Sequence, residues 1–353
     1  MLTHAARAKD ASIFIVDEPE IYLHPDVQRQ LLAILREIGP DVLLATHSTE
    51  IMSEADPSEI LVVDKSDHHA KRLRDVRGVQ TALEQIGSVQ NITLTKLARN
   101  RRILFVENER DFAILRQFAR QAGFAELASG SDITAVASDG FSSWERVRSM
   151  GWGWRKAFGS VLLLGAVFDR DYLCEEEKND ILQELNKHVS FAWIHQRKEI
   201  ENYLLVPSVL QRALESSVRD RCSRNGELIP TMPRMDQLLR KITEPMKHPA
   251  EGQYIDSRNR FLRSAERHSA VIAAETTEWF ESKWSDLNTR LEVVPGKDTL
   301  ATLRGILQER YSVTLTDSRI IKSFRPDELS EDLVTLLGRL DDYRRTRLAG
   351  ISG

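Results

Sequence analysis

Residues 101–111 read RRILFVENERD, residues 160–171 read SVLLLGAVFDRD, and residues 189–205 read VSFAWIHQRKEIENYLL. Each stretch opens with a short apolar run and ends in acidic residues. The runs are too short for helices and dense in Ile, Leu, Val and Phe, the pattern of strands buried on both faces of a parallel sheet. Between them lie a helical pattern from Arg110 to Ala122, a further short apolar run DITAVAS (residues 132–138), and a second helical pattern from Glu175 to His188. Strand, helix, strand, crossover, strand, helix, strand predicts an α/β fold: a parallel sheet with helices on both faces, over residues 101–206.

The acidic residues follow the strands. Glu107 ends the first run, and Asp111 comes one helical turn later with Glu109 between them. Asp169 and Asp171 end the third run, separated by Arg170. In extended geometry, residues two apart point to the same side, so both aspartates are expected to face the ground occupied by Glu107. Glu199 and Glu201 repeat the two-apart spacing just past the last run. Open α/β sheets bind their ligands at the carboxyl ends of the strands. Carboxylates gathered there without a counter-charge repel and raise each other's pKa. Divalent cations resolve that cost, and an all-oxygen donor set selects Mg²⁺ or Mn²⁺ over zinc. The competing reading of each carboxylate is a solvated loop cap. Glu109 is expected to face solvent, and either Glu199 or Glu201 can turn away. His188 and His195 have no zinc-site spacing and read as structural or exposed.

Residues 1–65 repeat the α/β alternation in a shorter form: SIFIVDEP (residues 12–19), a helical Val27 to Ile38, DVLLATHS (residues 41–48) and EILVVDK (residues 59–65). Three strands are too few for a complete nucleotide-binding core, so this is expected to be part of a sheet. Asp17 and Glu18, at a strand's carboxyl end, suit a Mg²⁺-holding Asp and a Glu that orients water on a γ-phosphate. His47 ends the next strand within reach of a phosphate. DEP…LHP with the later THS resembles the Walker B, D-loop and H-loop of ATP-binding-cassette (ABC-type) ATPases of the DNA-repair and bacterial-defence kind. The chain contains no G-x-x-x-x-G-K-[ST], the loop whose backbone and Lys cradle phosphates. Asp17, Glu18 and His47 are therefore expected to be vestigial, or completed only by an ATPase half supplied from elsewhere, and ATP is not expected to bind this chain alone. A truncated sheet leaves unpaired backbone groups at its edge, which predicts a homodimer or association with a separately encoded ATPase segment.

One glutamate after the first strand and Asp-x-Asp after the third resembles the topoisomerase-primase (Toprim) fold. ATPase strand ends, a polar linker, a Toprim-type sheet and a helical tail, in that order, resemble the overcoming-lysogenisation-defect (OLD) family of nucleases. The resemblance covers residues 12–65 and 101–205 well and the tail loosely. It implies a two-metal DNA endonuclease, in phage defence or DNA repair, with Glu107, Asp111, Asp169, Asp171, Glu199 and Glu201 as Mg²⁺ or Mn²⁺ ligands. It also implies that Lys297, in VVPGKDTL (residues 293–300), stands near the metals and stabilises charge on the scissile phosphate. The catalytic set is then Glu107, Asp111, Asp169, Asp171, Glu201 and Lys297; the competing reading of Lys297 is a salt-bridged surface lysine. Where the family commonly has Gly after the first glutamate this chain has Asn108, a residue that tolerates positive φ better than most.

The chain has 353 residues, 49 Lys+Arg against 53 Asp+Glu, and a formal net charge of -4. That balance excludes a basic nucleic-acid coat and a disordered tail, while leaving local basic patches free to meet DNA. Two cysteines, Cys174 and Cys222, exclude a disulfide framework and suit a reducing compartment. No signal peptide or membrane span is indicated, so the protein is expected to be cytoplasmic. Residues 66–100 are polar, with KRLRDVRG at 71–78, and read as a linker; residues 207–353 read as a helical extension. Trp144, Trp152 and Trp154, interleaved with Arg146, Arg148, Arg155 and Lys156, form either a stacking surface for nucleic acid or ordinary core and solvated face. Arg99, Arg101 and Arg102 could steer DNA toward the carboxylates; Trp279 and Trp284 read as core. Two other functions compete: a non-catalytic scaffold derived from an ATPase-nuclease, and a Toprim enzyme acting on RNA or in primer-related phosphoryl transfer.

Overall fold

The computed structural model describes residues 13–21, 23, 25–36, 41–46, 48–55, 59–64, 69–72, 101–138, 147, 162–263 and 267–346. The architecture is α/β, with parallel sheets flanked by helices.

At the N-terminal side, β1 (Ile13–Asp17) pairs in parallel with β2 (Asp41–Ala45), from Ile13 opposite Asp41 to Asp17 opposite Ala45. Helices α1 (Pro25–Leu35) and α2 (Thr49–Glu54) cover one face, where Leu31, Leu35 and Ile51 are buried against Val42 and Leu44. Burial on both faces was expected of these strands, and the structure departs from it. Ile13, Ile15 and Leu43 are 61%, 72% and 56% exposed. The cause is the period of two along a strand: alternate residues point away from α1 and α2. The third run also departs from expectation. β3 (Leu61–Asp64) does not join β1 and β2 but pairs antiparallel with β4 (His69–Arg72), which lies in the stretch read as linker.

Among the described residues the larger sheet has four strands, all parallel, in the order β6-β5-β7-β8. In chain order its elements are β5 (Arg102–Val106), α3 (Glu109–Gln121), α4 (Ala125–Ser129), β6 (Thr134–Ala137), β7 (Leu163–Phe168), α5 (Glu175–Asn186) and β8 (Phe191–Ile194). Side-chain alternation divides the strands between two cores. Ile103 and Phe105 join Leu164, Ala166, Phe168, Ala192 and Ile194 beneath Leu185 of α5. Leu104, Val106, Val167 and Phe191 face the other way, toward Phe112, Leu115 and Phe118 of α3. Continuous apolar runs are what burial on both sheet faces demands.

After β8 a 3-10 turn (Ile200–Leu204) leads into α6 (Pro207–Asn225), α7 (Met235–Thr243), α8 (Lys247–Leu262), α9 (Ser269–Ser285), α10 (Leu287–Val293), α11 (Gly296–Tyr311), α12 (Asp317–Lys322) and α13 (Glu331–Arg345). α9 and α10 are separated at Asp286, whose side chain caps α10 by accepting from the amides of Asn288 and Thr289. These helices share the α3-side core with the sheet. Tyr343 of α13 donates its hydroxyl to the carbonyls of Ile103 (2.8 Å) and Leu163 (3.0 Å), tying α13 to the amino-terminal ends of β5 and β7. Among the described residues no helix is long and apolar enough to cross a membrane.

Candidate active site at the carboxyl edge of the parallel sheet

Glu107 follows β5 directly, and its side chain is 22% exposed. The chain turns into α3 through Asn108, whose φ of −133° is extended. The turn thus needs no left-handed residue at 108, and the missing glycine carries no conformational cost. Closure comes from Asp111, whose Oδ2 accepts from the Asn108 amide at 2.9 Å in a capping box. Asp111 therefore has a structural duty and is also buried. Burial pushes its carboxyl up from 3.8 to about 7, with Lys297 and the Asn108 amide pulling the other way. Glu109 is exposed, as its position on the helix implied.

β7 ends at Phe168, and Asp169 is only 2% exposed. Both its oxygens are engaged: Oδ1 accepts from the Ile200 amide at 2.9 Å and Oδ2 from Lys297 Nζ at 3.2 Å. Burial, and then the neighbouring Asp111, hold its carboxyl well above the ordinary range. The expected extended Asp-x-Asp does not persist. Asp171 has φ +49°, its amide donates to the Lys198 carbonyl at 2.8 Å, and its Oδ1 stands 3.5 Å from Lys198 Nζ. A non-glycine residue in the left-handed region costs free energy that the surrounding bonds must offset. Here the Lys198 carbonyl provides one of those bonds.

Beyond β8, Glu199 and Glu201 are both buried. Glu199 Oε1 pairs with Lys198, and Oε2 accepts from the Lys297 amide at 2.8 Å. Glu201 Oε2 is buried with no hydrogen-bond partner among the described residues. Burial pushes the Glu201 carboxyl up from 4.5 to about 8, against the pull of Lys297. A buried acceptor left without a donor is uncommon and calls for an explanation.

The stretch VVPGKDTL is mostly helix, with α11 beginning at Gly296. Lys297 therefore stands in the first turn, with Nζ 3.2 Å from Asp169 and 3.4 Å from Glu107. Burial works to lower its pKa, yet Glu201, Asp169, Glu107 and Asp111 outweigh that and hold the ammonium above its ordinary value. Gly296 is required by the close approach of Asn202, whose Oδ1 would lie 2.6 Å from a Cβ added there. Asn202 is wholly buried and ties its own 3-10 turn to α10 and its C-cap: Oδ1 accepts from the Glu199 amide, and Nδ2 donates to the Leu291 and Val294 carbonyls. Reading by strand ends and acidic spacing overlooked both Asn202 and Lys198. Lys198 is buried among Glu199, Asp171 and the Tyr172 ring, 4.4 Å from its centroid. Its signal was a basic residue directly preceding an acidic pair; Asn202 had no local signal.

The structure thus brings Glu107, Asp169 and Glu199 together on Lys297 and places Asp111 and Glu201 within electrostatic reach of it. Among the described residues no group of three or more His, Cys, Asp and Glu lies ready to hold a metal ion; the lysine ammonium stands between Glu107 and Asp169. The histidines are elsewhere. His195 is buried against Tyr203, and burial lowers its pKa to about 4, while His188 lies near Glu184.

On the smaller sheet, Asp17 is exposed at the end of β1, and Glu18 has φ +45° with its amide donating to the Ala45 carbonyl. Thr46 donates to Glu20 at 2.7 Å, a contact between the two strand ends that the motif reading had not singled out. His47, Arg99 and the Trp144–Lys156 patch lie outside the described residues. Arg102 donates to the Thr346 carbonyl. Trp284 is buried and stacks on Phe280, and Trp279 packs on Phe280 and Tyr254, a core role for both.

Fold and site together define an α/β protein with an acidic, lysine-bridged edge on a parallel sheet. Comparison with known proteins adds two distant links. Residues 1–53 match the family described as "AAA domain, putative AbiEii toxin, Type IV TA system". Over 144 residues the chain is 27% identical to the Old nuclease of Escherichia phage P2, covering 38% of this chain and 24% of that protein. The chain spans about a quarter of the length of that curated relative.

Proposed function

We propose that the chain is a Mg²⁺- or Mn²⁺-dependent DNA endonuclease with a Toprim-type sheet, similar to the OLD nucleases. The observation that carries this reading is the convergence on Lys297 of carboxylates from three separate segments of one parallel-sheet edge. The donors Glu107, Asp111, Asp169, Asp171, Glu199 and Glu201 are all hard oxygens, and Glu201 Oε2 is buried without a hydrogen-bond donor among the described residues, as a cation ligand without its ion would be. When bound, a pair of such ions supplies an activated water and charge neutralisation at a phosphodiester. The chain's own residues hold and orient: Asp169 is fixed by the Ile200 amide, and Glu199 by Lys198 and the Lys297 amide. Lys297, in the first turn of α11, would be released from Glu107 and Asp169 if those carboxylates held cations, and its ammonium would then stabilise negative charge developing on a phosphate oxygen.

Asp17, Glu18 and His47 remain vestigial in this reading, and ATP is bound only if another ATPase segment completes the site. The exposed Ile13, Ile15 and Leu43 favour a partner for that smaller sheet, a second copy or an ATPase segment. They also support the second reading, a scaffold that no longer cuts. The deciding experiment is plasmid nicking in Mg²⁺, Mn²⁺, Ca²⁺ and EDTA by the wild type and Asp169→Ala. Nicking in Mn²⁺ that disappears in the variant is the expected result. Equal nicking by both proteins, or none by the wild type in any metal, overturns the nuclease reading.

A further inference from the structure

The two lysines of the acidic edge divide its carboxylates between them. Lys297 Nζ stands 3.2 Å from Asp169 and 3.4 Å from Glu107, and its side chain is 39% exposed. Lys198 Nζ pairs with Glu199 Oε1 and lies 3.5 Å from Asp171 Oδ1, and its side chain is 5% exposed. One ammonium thus serves the Glu107–Asp169 end and the other the Asp171–Glu199 end. Their freedom to leave differs. Lys297 can swing into solvent, because water already reaches it.

Lys198 is held from several directions. Its amide donates to the Glu292 carbonyl of α10 at 2.9 Å, and its own carbonyl accepts from the Asp171 amide at 2.8 Å. Its Nζ lies over the Tyr172 ring, 4.4 Å from the centroid, and a cation over an aromatic face is attracted more strongly where water is excluded. Tyr172 is itself met edge-on by Tyr254 at 5.0 Å. A buried ammonium parted from its carboxylates loses their attraction without regaining full hydration. The partner is committed too: Glu199 Oε2 accepts from the Lys297 amide at 2.8 Å, so the protein engages both Glu199 oxygens.

We propose that Lys198 is a resident competitor for the divalent cation at the Asp171–Glu199 end, so that two ions bind this edge unequally, tightly beside Glu107 and Asp169 and weakly beside Asp171 and Glu199. An ion at the Asp171–Glu199 end must either expel the Lys198 ammonium or stand beside it, and like charges a few ångströms apart repel strongly away from bulk water. An ion at the other end displaces a lysine that has solvent to move into. The inference rests on the nuclease reading above and names the residue that sets the order in which its ions are taken up.

The test titrates Mn²⁺ into the full chain without nucleic acid, followed by calorimetry and by the electron paramagnetic resonance signal of the free ion. The wild type is expected to take up its second ion at least about tenfold more weakly than its first. Asp171→Asn is expected to remove the weak ion and leave the tight one. Lys198→Met, which keeps an unbranched chain beside Tyr172 and deletes the charge, is expected to tighten the weak ion at least about tenfold. Lys198→Arg, which keeps the charge, is expected to retain the gap. A second ion too weak to detect in the wild type that appears in Lys198→Met meets the same expectation. A lysine that only supported the fold would leave the second ion unchanged or weaker in Lys198→Met, and that result overturns the proposal. So do equal affinities in the wild type, or loss of the tight ion in Asp171→Asn. If Lys198→Met does not fold, the wild-type ratio and Asp171→Asn decide. A wild type that nicks plasmid and binds two ions equally refutes the competition and leaves the nuclease reading standing; one that neither nicks nor binds Mn²⁺ refutes both.

Discussion

Replacing Gly296 with Ala tests the joint on which the lysine's position depends. A Cβ at 296 would lie 2.6 Å from Asn202 Oδ1, 2.9 Å from its Cγ and 3.0 Å from its backbone nitrogen. Asn202 cannot yield cheaply, because it is wholly buried and its side chain bonds to the Glu199 amide (2.8 Å) and to the carbonyls of Leu291 (2.8 Å) and Val294 (2.9 Å). A shift of several tenths of an ångström either breaks those bonds or lifts the start of α11. Three hydrogen bonds at about 1 kcal/mol each, partly offset by the better helix propensity of Ala, put the loss at about 2–3 kcal/mol. Gly305 lies further along the same helix, exposed, with nothing within 4 Å of an added Cβ. There the same substitution is expected to stabilise by about 0.5–1 kcal/mol. Urea unfolding of the two variants side by side measures the difference, and plasmid nicking reports whether Lys297 has moved. Gly296→Ala as stable as Gly305→Ala, with nicking intact, would refute the claim that the close approach positions the lysine.

Three further outcomes are expected. Asp111 and Glu201 have their carboxyls raised to about 7 and about 8 in the folded protein. Their protonated forms therefore contribute stability that is complete below the ordinary carboxylate range and lost as pH rises through 7 to 8. Thermal melts in EDTA should show the midpoint falling from pH 5 to pH 8.5, with Mn²⁺ restoring it at the upper end; a midpoint that rises over that range contradicts the buried, repelling cluster. Lys297→Ala should slow nicking about 10²-fold while calorimetry still detects Mn²⁺ binding; loss of Mn²⁺ binding would reassign the lysine to holding the carboxylates in place. Tyr343→Phe removes the hydroxyl that ties α13 to the carbonyls of Ile103 and Leu163 and should cost about 1 kcal/mol in urea unfolding, and a variant of unchanged stability would show the tie to be dispensable.

The strands of the larger sheet were legible because RILFV and LLGAVF must be buried on both faces, and because acidic residues stand where each run stops. Their lateral order was not, since nothing in the apolar runs states that β5 lies between β6 and β7. The site was legible as a set of carboxylates and less so as a geometry. The left-handed turn at Asp171 depends on a carbonyl of Lys198, and Gly296 depends on Asn202, partners far away along the chain whose approach leaves no mark on local spacing. The exposed Ile13 and Ile15 show the complementary limit. A run of apolar residues announces a strand, but how many of its faces are covered is decided by which other elements arrive.

The tie between Tyr343 and the strand starts, together with Lys297 at the strand ends, has a consequence for synthesis on the ribosome. Both residues emerge after the strands whose opposite ends they clamp, which lie 128 to 240 residues earlier in the chain. Until α11 docks, Glu107 and Asp169 lack the Lys297 ammonium between them, and the core on the α3 side of the sheet lacks the side chains that α10, α11 and α13 add to it. Such non-local closure slows folding and lengthens the exposure of apolar surface. The order of translation thus separates synthesis of the strands that carry the acidic edge from assembly of that edge, which follows only when α11 has been made.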